Sequence, residues 1–182
     1  MEYIFGTKKC KQKIVSIVSE CSGCGKTTLI EQLIKIYKKR NYSVGVLKHD
    51  AHNIDIDKEG KDSYRFTTAG ADNVIVAGAE KVVMIQQTKE EKTIEELVPL
   101  FKDVDILILE GFKYNKFPKV EVHRKGVGKE ILYKSPSMDT STYIAIASDE
   151  ELDVDVKVLD LNNVYDVADY IEMVLHKMNH DH

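Results

Sequence analysis

The sequence predicts an α/β protein: a three-layer fold with a mostly parallel sheet, some antiparallel strands, and flanking helices. Three observations carry this. Short β-branched runs alternate with helical spacing along the chain. One run, Lys13 to Ser19, leads straight into a glycine-rich turn and then a helix. Another, Val104 to Leu109, has the apolar continuity of a strand covered on both faces. At 182 residues a single domain spanning 1–182 is expected, with 1–12 and 176–182 as loosely ordered termini.

The elements follow in order. KIVSIVS, Lys13 to Ser19, suits a buried strand. From Thr27 to Arg40 the apolar residues Ile30, Leu33, Ile34 and Tyr37 share one helical face. Ser43 to Leu47 gives a second strand, followed by a polar, acid-rich loop from His49 to Gly60. Lys61 to Ala69 reads as a short helix stopped at Gly70, with Asp62 or Ser63 as its cap. Asn73 to Ala77 and Lys81 to Gln86 form a hairpin around Gly78, and Ile94 to Phe101 a helix. Lys119 to Arg124 alternates polar and apolar residues, as an edge or antiparallel strand does. Tyr143 to Ala147 and Val156 to Leu161 are further strands, and Val164 to Met178 closes the chain as an amphipathic helix. There is no internal repeat and no low-complexity linker.

Composition excludes several function classes. Net charge is −4, with acidic and basic residues well mixed, so no basic surface points to nucleic acid. No apolar run is long enough to cross a bilayer, and MEYIFGTKKCKQK has no leader-like apolar core; a cytoplasmic protein is expected. In a reducing compartment the cysteines, Cys10, Cys21 and Cys24, are not expected to form a structural disulfide. Cys21 and Cys24 make the only C-x-x-C, and a structural zinc site wants a second such pair or two suitably spaced histidines.

The segment SECSGCGKTT, Ser19 to Thr28, answers to phosphate chemistry instead. A phosphate-binding loop needs a strand, a glycine-rich turn with inward N–H groups, a lysine, and a Ser or Thr opening a helix. Ser22, Gly23, Cys24 and Gly25 supply the turn, Lys26 the cation, Thr27 a magnesium-binding hydroxyl, and Thr28 the start of the helix. The helix N-terminus adds partial positive charge. Glu20 stands where G-x-x-x-x-G-K-[ST] has its first glycine, which narrows the mouth or brings a carboxylate to the terminal phosphate. Cys21 and Cys24 are small fillers of variable loop positions, or an oxidation-sensitive pair activated by Lys26 and the helix dipole. On the second reading, a Cys21–Cys24 disulfide deforms the loop and blocks phosphate.

Two further stretches, KHDAHNIDIDKEGKDSYRFTTAGA (Lys48 to Ala71) and DILILEGFK (Asp105 to Lys113), narrow the field. With the phosphate loop, they resemble the MobB family of molybdopterin-guanine dinucleotide biosynthesis adaptor proteins. The likeness runs from about Lys13 to Leu175, through IAIASD and DLNNVYDVADYI. It implies a P-loop NTPase-like fold, a homodimer, and GTP binding with magnesium and at most slow hydrolysis. It also implies a partner guanylyltransferase of the MobA type, which attaches GMP to molybdopterin.

Beside that resemblance the residues have their own readings. Glu110, ending an apolar strand, is placed to orient magnesium together with Thr27, and Gly111 to let its N–H approach the terminal phosphate. Lys113 adds charge toward an anion or is an ordinary surface lysine. Lys48, His49 and His52 follow a strand end on the ligand face; the histidines contact ligand or order the loop, the alternative being a metal site with Asp50, Asp55 and Asp57. Asp57 reaches magnesium through water, and Lys61 and Arg65 suit an anionic pterin phosphate. Asp149, closing IAIASD, is the positional candidate for reading the base, or else a helix cap or surface carboxylate. His176, His180 and His182 are read as solvated terminal residues. No strong general base stands out, although Glu110 or Asp57 could serve as one. A small-molecule kinase and a metal-inserting GTPase remain alternatives.

Overall fold

A computed structural model describes residues 12–49, 57–127 and 130–180. The chain divides at His49/Asp50 and Leu100/Phe101 into two compact units, the second being the internal insertion Asp50–Leu100. The first unit carries a six-stranded, all-parallel sheet: β1 (Lys13–Val18), β2 (Val44–Lys48), β5 (Ile106–Glu110), β6 (Lys119–His123), β7 (Tyr143–Ser148) and β8 (Val158–Asp160). Its order is β2-β5-β1-β6-β7-β8. The second unit holds α2 (Asp62–Thr68), the antiparallel pair β3 (Asn73–Ala77) and β4 (Val82–Gln86), and the single turn α3 (Ile94–Leu97).

Helices α1 (Lys26–Lys39) and α4 (Val164–His180) pack together in the core of the first unit. Leu29, Ile30, Leu33, Ile36 and Tyr37 of α1 meet Val167, Ala168, Ile171 and Leu175 of α4, over Val15, Ile17, Ile106 and Ile108 of the central strands. Polar contacts pin the C-terminal end of α1. Just past it Arg40 pairs with Glu172 at 2.6 Å and with Asp169, and Tyr42 donates to Glu172 at 2.5 Å. The Tyr37 hydroxyl, 3.3 Å from the Ala168 carbonyl, donates to it from inside the interface, where burial pushes its pKa well up.

The strand at Lys119 to His123 departs from the sequence expectation. It is neither an edge nor antiparallel: β6 lies between β1 and β7, parallel to both, with Lys119 and Glu121 each 1 % exposed. Its alternating polar face is covered by the segment 131–142. Glu121 accepts the backbone N–H groups of Leu132 (2.6 Å) and Tyr133 (2.9 Å). The Lys119 ammonium donates to the carbonyls of Asn115 and Phe117 and to Thr142 Oγ1. Buried charge is tolerated because every lobe finds a partner.

The helix expected over Ile94 to Phe101 is shortened, since α3 ends at Leu97 and a 3₁₀ turn follows at Val98–Leu100. Pro99 cannot donate to an α-helical ladder. At α2 neither Asp62 nor Ser63 caps: Lys61 holds the N-cap position without a side-chain bond, and Ser63 donates to Asp57 Oδ1 at 2.7 Å.

Candidate functional site

The site is built where the carboxyl ends of β1 and β5 meet the start of α1, the position at which open parallel sheets take ligands. Gly23 (φ 82°) and Gly25 (φ 98°) turn the chain through the left-handed region, which a side chain disfavours, and Gly25 is the N-cap of α1. No acidic residue occupies the first turn of α1. The orphan N–H groups and positive helix end are therefore left for an anion.

Lys26 opens the helix and folds back over the loop. Its ammonium donates to Ser19 Oγ at 2.7 Å and to the Cys21 carbonyl at 3.1 Å, while Ser19 itself donates to Cys21 at 2.7 Å. The Lys26 pKa is lowered, chiefly by burial; Glu110 opposes that shift, and the neighbouring cations Lys113 and Lys48 add to it. Thr27 Oγ1 donates to Glu110 Oε1 at 3.1 Å, joining the first helical turn to the end of β5. Glu110 is 9 % exposed. A hydroxyl and a carboxylate, both hard oxygen donors and side by side under the loop, fit a magnesium ion.

On the β5 side Lys48 stands in register with Glu110, and the His49 N–H donates to the Glu110 carbonyl at 2.9 Å. The His49 ring lies 5.0 Å from that of Phe112. Gly111 has φ 90°, and a Cβ there would stand 3.3 Å from His49 Cβ. Its N–H donates to the Ile17 carbonyl at 3.2 Å, so the expected bond to a terminal phosphate gives way to a role in the turn itself. Lys113 donates to the Glu20 carbonyl at 3.0 Å, which sets this cation at the loop's mouth.

Cys21 and Cys24 are joined as a disulfide inside the loop, against the expectation of free thiols; their Cα atoms are 5.9 Å apart. That separation lies within the usual disulfide range of about 4.4–6.8 Å. The strand, the turn and α1 are all formed around the bridge. Beside the bridge the Cys21 carbonyl accepts from Lys26 at 3.1 Å.

The other expected residues are spread differently. Ser22 and Thr28 sit in the loop and the first turn of α1. Asp149 follows β7, where Oδ1 accepts the Lys125 N–H at 2.7 Å and Oδ2 lies 3.9 Å from Arg124. Asp57, Lys61 and Arg65 belong to the second unit. There Asp57 Oδ2 is buried without a hydrogen-bond partner, Lys61 precedes α2, and Arg65 pairs with Asp62 at 3.3 Å on the surface. His52, Asp50, Asp55 and His182 lie outside the described residues, as does the His180 side chain. His176 is held by neighbours, with its Nε2 2.9 Å from Lys13 Nζ. Among the described residues there is no cluster of three His, Cys, Asp or Glu able to hold a metal, and no helix is long and apolar enough to cross a membrane.

Two residues at the site went unnoticed in the sequence. Ser19, the first residue past β1, anchors Lys26. Arg124, the first past β6, lays its guanidinium against Gly25. Both sit one step beyond a parallel strand, a signal that was lost for Arg124 because its strand read as an edge.

A central strand, a glycine turn with its lysine, a helix N-terminus and a Thr–Glu pair beneath them define a P-loop nucleotide-binding fold of the NTPase type. The chain belongs to the MobB family, matching the description "Molybdopterin guanine dinucleotide synthesis protein B" over residues 14–149. It is 38 % identical over 157 residues to the molybdopterin-guanine dinucleotide biosynthesis adapter protein of Haemophilus influenzae, spanning 85 % of each chain. It is 34 % identical over 163 residues to the Escherichia coli protein of that name, covering 87 % of this chain and 91 % of that one. The crystal structure of a molybdopterin-guanine biosynthesis protein B superposes with a TM-score of 0.71 at 27 % identity, over 88 % of this chain and 99 % of the other. That of Bacillus subtilis MobB does so with a TM-score of 0.66 at 28 % identity, over 87 % and 97 %.

Proposed function

We propose that this chain is a GTP-binding adapter in the biosynthesis of molybdopterin guanine dinucleotide. It works in the cytoplasm as a homodimer and assists a guanylyltransferase of the MobA type in attaching GMP to molybdopterin. Family membership and the names of the relatives support the pathway. The observation that carries the nucleotide reading is the Thr27–Glu110 contact of 3.1 Å beneath Lys26.

In this reading the loop N–H groups and Lys26 bind the β- and γ-phosphates, exchanging the Ser19 and Cys21 contacts of Lys26 for phosphate oxygens. Thr27 and Glu110 would hold magnesium, which offsets charge on the terminal phosphates when bound. Lys113 and Lys48 add positive field, and Lys61 and Arg65 are assigned to an anionic pterin phosphate. Glu110 is engaged by Thr27, which accords with slow hydrolysis at most.

The test is a calorimetric titration of GTP and of ATP, each with magnesium, into the wild type and Lys26→Ala. Tighter binding of GTP, lost in Lys26→Ala, is expected. Tighter ATP binding would hand the site to a small-molecule kinase, and no binding of either would remove the nucleotide reading.

A further inference from the structure

The sheet order gives the phosphate loop two distinct sides. β5 flanks β1 on one side and ends in Glu110, the partner of Thr27. β6 flanks β1 on the other, with β7 beyond it. A triphosphate whose terminal phosphates and cation lie on the Thr27–Glu110 side has the β6 and β7 side open for its nucleoside end.

On that second side stands Arg124. Its Nη2 lies 3.5 Å, and its Nε 3.7 Å, from the point a Cβ on Gly25 would occupy. The guanidinium therefore lies against loop backbone, at a position whose missing side chain leaves it room. Among the described residues this guanidinium makes no hydrogen bond. Its ion pair with Asp149 is long, at 3.9 Å, and 40 % of the side chain is exposed.

The backbone beneath it is held in place. Asp149 accepts the Lys125 N–H at 2.7 Å, and His123 meets Glu150 at 2.8 Å, so the ends of β6 and β7 are tied twice. A cation with spare donors on a fixed strand end, beside an anion-binding turn, has the properties of a ligand contact. The planar fork of arginine suits two oxygens of one phosphate.

We propose that Arg124 is a nucleotide-contact residue on the nucleoside side of the loop, where its guanidinium binds the phosphate nearest the ribose. Asp149 is then a positioning residue for Arg124, not the reader of the base. This rests on the reading of the loop as a nucleoside triphosphate site.

The experiment titrates GTP and GDP, each with magnesium, into the wild type, Arg124→Ala, Arg124→Lys and Lys26→Ala, and records the Tm of each. Arg124→Ala is expected to weaken both nucleotides by about ten- to hundredfold, leaving their affinity ratio unchanged. Its Tm should stay near that of the wild type, and Arg124→Lys should recover part of the loss. Wild-type affinity in Arg124→Ala overturns the proposal, as does a loss confined to GTP, which would move Arg124 to the terminal phosphate. Should Arg124→Ala not fold, Arg124→Lys decides: reduced affinity for both nucleotides supports the contact, and full affinity overturns it. If the wild type binds neither nucleotide, the site reading itself falls. If the wild type binds and Lys26→Ala does not, while the Arg124 variants match the wild type, only this inference fails.

Discussion

Thr27 and Glu110 are 83 positions apart in sequence, yet the hydroxyl of one donates to the carboxylate of the other at 3.1 Å. The pairing follows from the parallel register of β1 with β5, which sets Ile17 opposite Glu110 one turn short of the helix. Glu110→Gln removes the charge and keeps the shape. It should weaken magnesium-dependent GTP binding about ten- to hundredfold, the usual weight of a charged contact. Binding measured in EDTA should change much less. An equal loss with and without magnesium would take Glu110 off the cation.

Lys26 is already held by Ser19 and Cys21, so Ser19→Ala tests whether these bonds present or restrain it. If they restrain it, the variant binds GTP at least as tightly as the wild type; if they present it, affinity drops. Restraint is expected, because burial already disfavours the charged lysine and a phosphate would relieve that cost.

The Cys21–Cys24 bridge lends itself to a redox titration. Glutathione disulfide would oxidise the two thiols by exchange, itself becoming two glutathione thiols, with the bridge closing as the second leaves. In the oxidised loop Lys26 donates to the Cys21 carbonyl, and this form should bind GTP more weakly than protein kept in dithiothreitol. Cys24→Ser should bind equally in both conditions. Identical affinities for the oxidised and reduced wild type would remove any role for the bridge.

Glu121 gives a pH signature. Burial raises its pKa above the ordinary carboxylate value, against the opposing pull of the Tyr133 and Leu132 N–H groups. An acid with a raised folded-state pKa binds its proton more tightly when folded. Its stabilising contribution is therefore present at low pH and is lost as pH rises from the unfolded value, 4.5, through the folded one. Thermal melts of the wild type and Glu121→Gln should show the wild type losing ground to the variant across that rise. A pH-independent difference would mean the carboxyl does not titrate in the window.

The proposed homodimer is expected to pair through the hairpin of the second unit. Ile75 faces Met84 across the strands, and Ile75, Val82 and Met84 are 63, 66 and 47 % exposed. Val74 points to the opposite face and is buried. Ile75→Lys with Met84→Lys should convert a dimer to a monomer, as read by light scattering at micromolar concentration. A dimer that persists would place the interface elsewhere.

Much of this architecture was legible in the sequence because local signals agreed with the global fold. The run KIVSIVS, the two glycines and the apolar spacing from Ile30 to Tyr37 each describe one element, and together they describe one site. The hairpin around Gly78 was readable for the same reason. Failure came where tertiary partners override local pattern. The alternation Lys119, Glu121, His123 looks solvated, but pairing with β1 and β7 and the backbone donors of Leu132 and Tyr133, 11 and 12 residues on from Glu121, make it an interior strand. Arg124 was invisible as a site residue for the same cause, since its neighbour Gly25 lies 99 positions away and meets it only once β6 is placed beside β1.

The clamp of Arg40 and Tyr42 on Glu172 bears on how an adapter reports its own loading. α1 has its head in the phosphate loop and its tail fastened to α4, so filling the loop is expected to leave the helix in place. The proposed nucleotide would then be reported through the connections after β5 and β6, which begin at Gly111 and Arg124. The proposed partner is therefore expected to touch that rim.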